Sequence, residues 1–141
     1  MATTRNATAH WEGALLDGAG QVSLDSSGLG TFDVTWASRA NDPDGRTSPE
    51  ELIGAAHATC YSMAFSHALA GEDTPPRSVD TKASVTFQPG EGITGIHLDM
   101  EADIPGISEA DFQRIAEDAK ANCPVSQALK GTTITLTATL R

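Results

Sequence analysis

The chain has 141 residues, enough for one domain with a core of its own. Its 19 acidic against 9 basic residues give a net charge of −10, which argues against nucleic acid and anionic membrane surfaces as partners, since both require a basic face. No apolar run approaches the ~20 residues of a transmembrane helix, and the start "MATTRNATAHWEG" has no apolar targeting core, so a cytoplasmic protein is expected. In that compartment its two cysteines, Cys60 and Cys123, point to catalysis, redox chemistry or ligation rather than to a permanent staple.

In chain order, "ATAHWEG", "QVSLDS" and "TFDVTWAS" read as strands, separated by the Gly- and Ser-rich turns "DGAG" and "SSGLG". These glycines do not open a helix after a strand, so they form no phosphate loop. A polar loop runs from Arg39 to Thr47. Ser48 then caps a helix expected to reach about Ala70, with Pro49 in the first helical position and Glu51 completing a capping box. "SVDTKASVTFQ" and "ITGIHLDMEADI" alternate, placing Val79, Thr81, Ala83, Val85 and Phe87 on one face and Ile96, Leu98, Met100, Ala102 and Ile104 on another. "PGEG" joins them as a hairpin. Ser108 caps a second helix whose apolar stripe is Phe112, Ile115, Ala116 and Ala119. "CPVSQALK" reads as a short helix, and "TTITLTATL" as a closing strand.

The order is βββ-α-ββ-α-β. Strands that cluster instead of alternating singly with helices predict an α+β fold with one largely antiparallel, six-stranded sheet, in a single domain over residues 1–141. The first helix, "SPEELIGAAHATCYSMAFSHALA", is apolar on nearly every face and needs cover on all sides. One sheet covers one side; a second copy of the chain is the simplest cover for the other. A homodimer with Cys60 near its interface follows.

Two readings of Cys60 compete. A buried thiol is usually inert packing, and apolar surroundings disfavour thiolate. Activation requires a nearby cation, and Arg39 and Arg46 are the candidates in the loop that enters the helix. Cys123 stands at the N-cap before Pro124, a place that stabilises thiolate and where cysteine is a poor choice for capping alone. Glu50 has no capping duty and is free to pair with an arginine. Ten residues separate Glu50 from Cys60, about 15 Å of helical rise and ~80° of azimuth. Glu50 is therefore expected to approach the Cys60 of the other chain across an antiparallel helix pair. A zinc site from His57, Cys60, Cys123 and His97 is the weaker reading, and His57 reads better as a hydrogen-bonded interior histidine.

Taken together, "SPEELIGAAHATCYSMAFSHAL" and "CPVSQALKG", with "AHWEG", "VSLDSS" and "PGIS", resemble the osmotically inducible protein C branch of the OsmC/Ohr family along essentially the whole chain. The resemblance implies an intertwined homodimer with central buried helices. It also implies a thiol-dependent peroxidase, in which Cys60 attacks an organic hydroperoxide (and hydrogen peroxide less well) and Cys123 resolves the sulfenic acid as a disulfide. Arg39 and Glu50 would hold Cys60 as thiolate, with Arg46 the less favoured arginine. The activity needs no bound cofactor and no metal. It draws on an external thiol or a dithiol such as dihydrolipoamide or a lipoylated protein. The alternative is a dimeric carrier of a small hydrophobic ligand with idle thiols; a hydrolase using Cys60 with His57 lacks a group to orient the histidine.

Overall fold

The computed structural model describes residues 1–141, which form two compact units, Met1–Leu52 and Ile53–Arg141. The first unit is a meander. Strands β1 (Thr8–Glu12), β2 (Ala19–Ser23) and β3 (Thr31–Val34) pair antiparallel in that order. Trp11 lies opposite Gly20, and a Cβ there would come within 2.8 Å of the indole, so the glycine is what lets the ring lie across the neighbouring strand.

The third strand is shorter than its sequence pattern. Phe32, Val34 and Trp36 continue an alternation, yet the strand ends at Val34 and Trp36–Ala40 form a short helix, α1. The cause is local. The Thr35 hydroxyl accepts from the Ser38 N–H, and the Ser38 hydroxyl receives the Thr35 N–H, a reciprocal cap that closes a helical turn before the strand can continue. The Ser38 hydroxyl also donates to the Thr47 carbonyl, 3.1 Å away, tying α1 to the end of the following loop. Within that loop Asp44 and Gly45 both adopt positive φ, 46° and 76°, in a tight turn closed by the Arg46 N–H on the Pro43 carbonyl.

Helix α2 (Pro49–Gly71) begins as expected at Ser48, whose hydroxyl accepts from the Glu51 N–H. The capping box is only half made, however. The Glu51 carboxylate accepts from the Thr47 hydroxyl at 2.7 Å instead of returning to the cap.

The second unit holds a three-stranded sheet of β4 (Ser78–Gln88), β5 (Gly92–Asp103) and β6 (Ile134–Leu140), with β5 central. The hairpin turns at Pro89-Gly90, with Gly90 at φ 88°, as a type II turn requires at its third residue. The six strands thus form two separate sheets instead of one, and β5 with β6 is a parallel pair. That pairing follows from the connection: α3 (Glu109–Asn122) and α4 (Pro124–Ala128) lie between the two strands, and a helical crossover returns the chain in the same direction.

The expected faces are the buried ones. Leu98, Met100 and Ala102 of β5 and Phe112 and Ala116 of α3 are fully buried, and Ile96, Ile104, Ile115 and Ala119 nearly so. From Gly54 onward α2 supplies His57, Tyr61, Phe65 and Leu69, one stripe at helical spacing. Phe65 stacks on Tyr61 and meets Phe112 edge-on, both at 5.9 Å between ring centres. The Tyr61 hydroxyl donates to the Ala116 carbonyl. Gly54 lets the helix approach β4: a Cβ there would stand 3.3 Å from the Ala83 carbonyl oxygen. The opposite face of α2, with Ala55, Ala56, Thr59 and Met63, stays exposed in the single chain; Met63 is 68% exposed.

Candidate active site

Two pairs of chemistry-bearing residues form, one in each unit. In the first, Arg39 of α1 meets Glu50 of α2. Its Nε donates to both carboxylate oxygens at 3.0 and 3.3 Å, and Nη2 donates to Oε1 at 2.8 Å. Glu50 is nearly buried and Arg39 partly so. A forked, charge-assisted contact of this kind holds a guanidinium in one orientation, and Glu50 serves as its anchor. Arg46 is occupied elsewhere: it bonds the backbone carbonyl and the carboxylate of Asp44 in an exposed turn. The cap that sequence alternation hides is what places Arg39, because it sits in the last turn of α1.

Beside Arg39 the same unit opens a pocket of ≈ 520 Å³, lined by Ala9, Trp11, Leu15, Val22, Val34, Thr35, Trp36, Arg39, Pro49 and Leu52. Apart from Thr35 and the arginine its side chains are apolar. It fits an alkyl or aryl group with one polar end.

The second pair is Cys60 and Cys123. Both thiols are free, Cys60 partly and Cys123 fully buried. Cys60 lies one residue off the buried stripe of α2. Cys123 ends α3 and caps α4 without making a side-chain cap bond, so its thiol is free to turn toward Cys60. The Cys123 thiol and the Val125 N–H in the first turn of α4 are the polar neighbours of the Cys60 sulfur. Burial pushes the Cys60 thiol above its ordinary value. The Val125 N–H, a donor with no partner inside its helix, opposes that rise, and Cys123 adds to it.

One turn along α2, His57 is fully buried. Its Nε2 is 2.7 Å from the hydroxyl of Ser126 on α4, and its Nδ1 has no partner. The interior-histidine reading of His57 therefore holds. Ser126 was not singled out in the sequence, although its signal was there: it follows Cys123 by three residues, as Cys60 follows His57. His97 takes no part. It stands on the outward face of β5, bonded to Thr135 and Thr137. No group of three or more His, Cys, Asp or Glu side chains is placed to hold a metal.

The family profile described as OsmC-like protein matches residues 42–137. The Escherichia coli protein named Peroxiredoxin OsmC is 44% identical over 133 residues, 92% of each chain. An Organic hydroperoxide resistance protein of Xanthomonas axonopodis pv. citri is 33% identical over 87 residues, 60% of this chain and 61% of its own. A crystal structure of an organic hydroperoxide resistance protein OsmC from Legionella pneumophila superposes with a TM-score of 0.73 at 23% identity, covering 99% of this chain and 98% of that one. OhrB of Bacillus subtilis gives 0.68 at 21% identity over 99% and 98%. The α+β fold is that of one class of protein, and the chain belongs to it: it is a member of the OsmC-like family. No helix in it is long and apolar enough to cross a membrane.

The buried His57 carries a pH signature. Burial lowers its pKa below 6.5, so the unfolded chain takes up this proton first as pH falls. The stability it contributes is complete above about pH 6.5 and declines as pH drops toward its folded-state pKa. Urea unfolding at pH 7.5 and 5.0 should show the wild type losing stability with a steeper slope than His57→Gln, by at most one proton, ~1.4 kcal/mol per pH unit.

Proposed function

We propose that the protein is a cysteine-based peroxidase that reduces organic hydroperoxides to alcohols. The single observation that carries this reading is that the Cys60 and Cys123 thiols are neighbours, with the Val125 N–H beside Cys60. The names of the similar proteins, a peroxiredoxin and an organic hydroperoxide resistance protein, support it.

The Cys60 thiolate attacks the distal oxygen of ROOH. The O–O bond breaks, the alkoxide leaves with the bonding pair and takes a proton to become ROH, and Cys60 is left as sulfenic acid. Cys123 then forms the disulfide and water departs. An external dithiol reduces the bridge, with dihydrolipoamide or a lipoylated protein the proposed donor. Burial alone leaves Cys60 too weakly acidic for this work. Arg39, oriented by Glu50, is the cation assigned to lower it. The apolar pocket beside Arg39 favours alkyl or aryl peroxides over hydrogen peroxide, at ~0.8 kcal/mol per buried CH₂.

The acting species is a homodimer. The exposed apolar face of α2, Ala55, Ala56 and Met63, is an unusual surface for a lone helix to offer water, and an antiparallel partner helix would cover it. Across that interface Glu50, ten helical residues from the Cys60 of its own chain, would bring its arginine to the Cys60 of the partner subunit. The same pocket also favours a second reading, a carrier of a small hydrophobe with idle thiols.

One equivalent of cumene hydroperoxide separates the two. The peroxidase loses both thiols per chain and becomes two mass units lighter, bridged from Cys60 to Cys123; a carrier keeps its thiols. Cys60→Ser should consume no peroxide. Cys123→Ser should consume about one per site and then stall or overoxidise. Should Cys60→Ser react and Cys123→Ser remain inert, the two roles are reversed. Stopped-flow kinetics of Arg39→Ala should show the first step slowed about tenfold or more as the Cys60 pKa rises, with Arg46→Ala near wild type; the opposite ranking would transfer the role to Arg46. Sedimentation equilibrium should find the wild type dimeric and Met63→Glu shifted toward monomer, while a monomeric wild type would refute the dimer.

A further inference from the structure

His57 and Ser126 form the one buried bond between two side chains in the second unit that joins α2 to α4. Its position is systematic. His57 precedes Cys60 by three residues on α2, and Ser126 follows Cys123 by three on α4. The pairs His57–Ser126 and Cys60–Cys123 are thus two rungs, one helical turn apart, between helices that run in opposite directions. α4 is five residues long and starts at a proline, so its own hydrogen bonds fix its position poorly. The imidazole has no other partner, since Nδ1 bonds nothing. Its whole hydrogen-bonding capacity is spent on Ser126.

Resting on the peroxidase reading, we propose that His57 and Ser126 are positioning residues for the resolving step: they hold α4 in register so that Cys123 stays within bonding reach of Cys60 after Cys60 is oxidised. In that step the Cys123 thiolate attacks the sulfenic sulfur. The S–S bond forms and the S–O bond breaks. Hydroxide leaves with the bonding pair and takes up the proton that Cys123 gave up, departing as water. The Cys60 sulfur is reduced from the sulfenic to the disulfide level and the Cys123 sulfur is oxidised to it. The step has a competitor, a second peroxide that carries Cys60–SOH to sulfinic acid. A disulfide tolerates only a narrow range of Cα separation, so a small slip of α4 favours the competitor.

The test uses Ser126→Ala, which removes one oxygen, and Ser126→Thr, which keeps the hydroxyl. His57→Leu and His57→Gln are the matching pair on the other side, since the glutamine amide can reach the position of Nε2. After a peroxide pulse, mass spectrometry reads the division between disulfide and sulfinic acid, and stopped flow reads the first step. Ser126→Ala and His57→Leu should leave the first step within about twofold of wild type. They should slow disulfide formation about tenfold, the scale of one net buried hydrogen bond, and raise the sulfinic yield. Threonine and glutamine should restore most of the loss. A variant that is merely less well folded would slow both steps together and would not be rescued. A glutathione redox titration of Cys60–Cys123 needs no peroxide and should show about a tenfold lower effective thiol concentration in Ser126→Ala. If the wild type fails to consume peroxide yet the titration shows that drop, the peroxidase reading falls and the clamp stands. If the wild type reacts and Ser126→Ala matches it in both division and titration, the clamp is overturned and the peroxidase reading survives.

Discussion

The arrangement depends on how α2 divides its surface. The helix is apolar nearly all round, but it can give only one stripe to its own sheet. Tyr61, Phe65 and Leu69 take that stripe and are fully buried against β5 and α3. Fully burying a side chain of this size is worth roughly 1.5–3 kcal/mol, so three of them at helical spacing fix the rotation of the helix. Once that rotation is fixed, Cys60 is set at the edge of the core, half-covered and facing the head of α4. A register shift of one residue would turn it by about 100° and separate it from Cys123.

The environment of Cys60 holds opposed influences. The burial that shields the Cys60 sulfur from water also makes its thiolate harder to form. The Val125 N–H works against that cost, and it is available because Cys123 and Pro124 start a new helix whose first donors have no carbonyl to bond. Ending one helix and starting another at Cys123 therefore does two things. It leaves the Cys123 side chain without a capping bond, and it places the Val125 N–H beside Cys60. The first unit treats its own charge differently: Glu50 is nearly buried, and the fork it makes with Arg39 turns a flexible cation into a fixed one.

Much of this was legible in the chain. The alternation of β4 and β5 predicted their inward faces residue for residue, because a two-residue period admits only one assignment when one face is apolar. Ser108 and the stripe from Phe112 to Ala119 marked α3 equally well. The motifs around Cys60 and Cys123 supplied the family, which the comparisons bear out. The errors have physical causes. Trp36 extended a strand pattern, but the hydroxyls of Thr35 and Ser38 bonded each other's backbone and turned the chain into α1. Glu51 sits at the right spacing for a capping box, but the Thr47 hydroxyl competes for its carboxylate.

The sequence alone determined the elements whose signal is periodic or local: the long apolar helix, the alternating hairpin, the capped α3 and the two cysteines at their stations. Only the tertiary structure decided which elements meet. That the strands split into two sheets, that β6 joins β5 in parallel, that Arg39 and not Arg46 takes Glu50, and that Ser126 meets His57 are contacts between residues far apart in the chain. No local pattern encodes such contacts. They arise from competition among packings of similar local quality, settled by which one buries the apolar faces and leaves the fewest polar groups without partners.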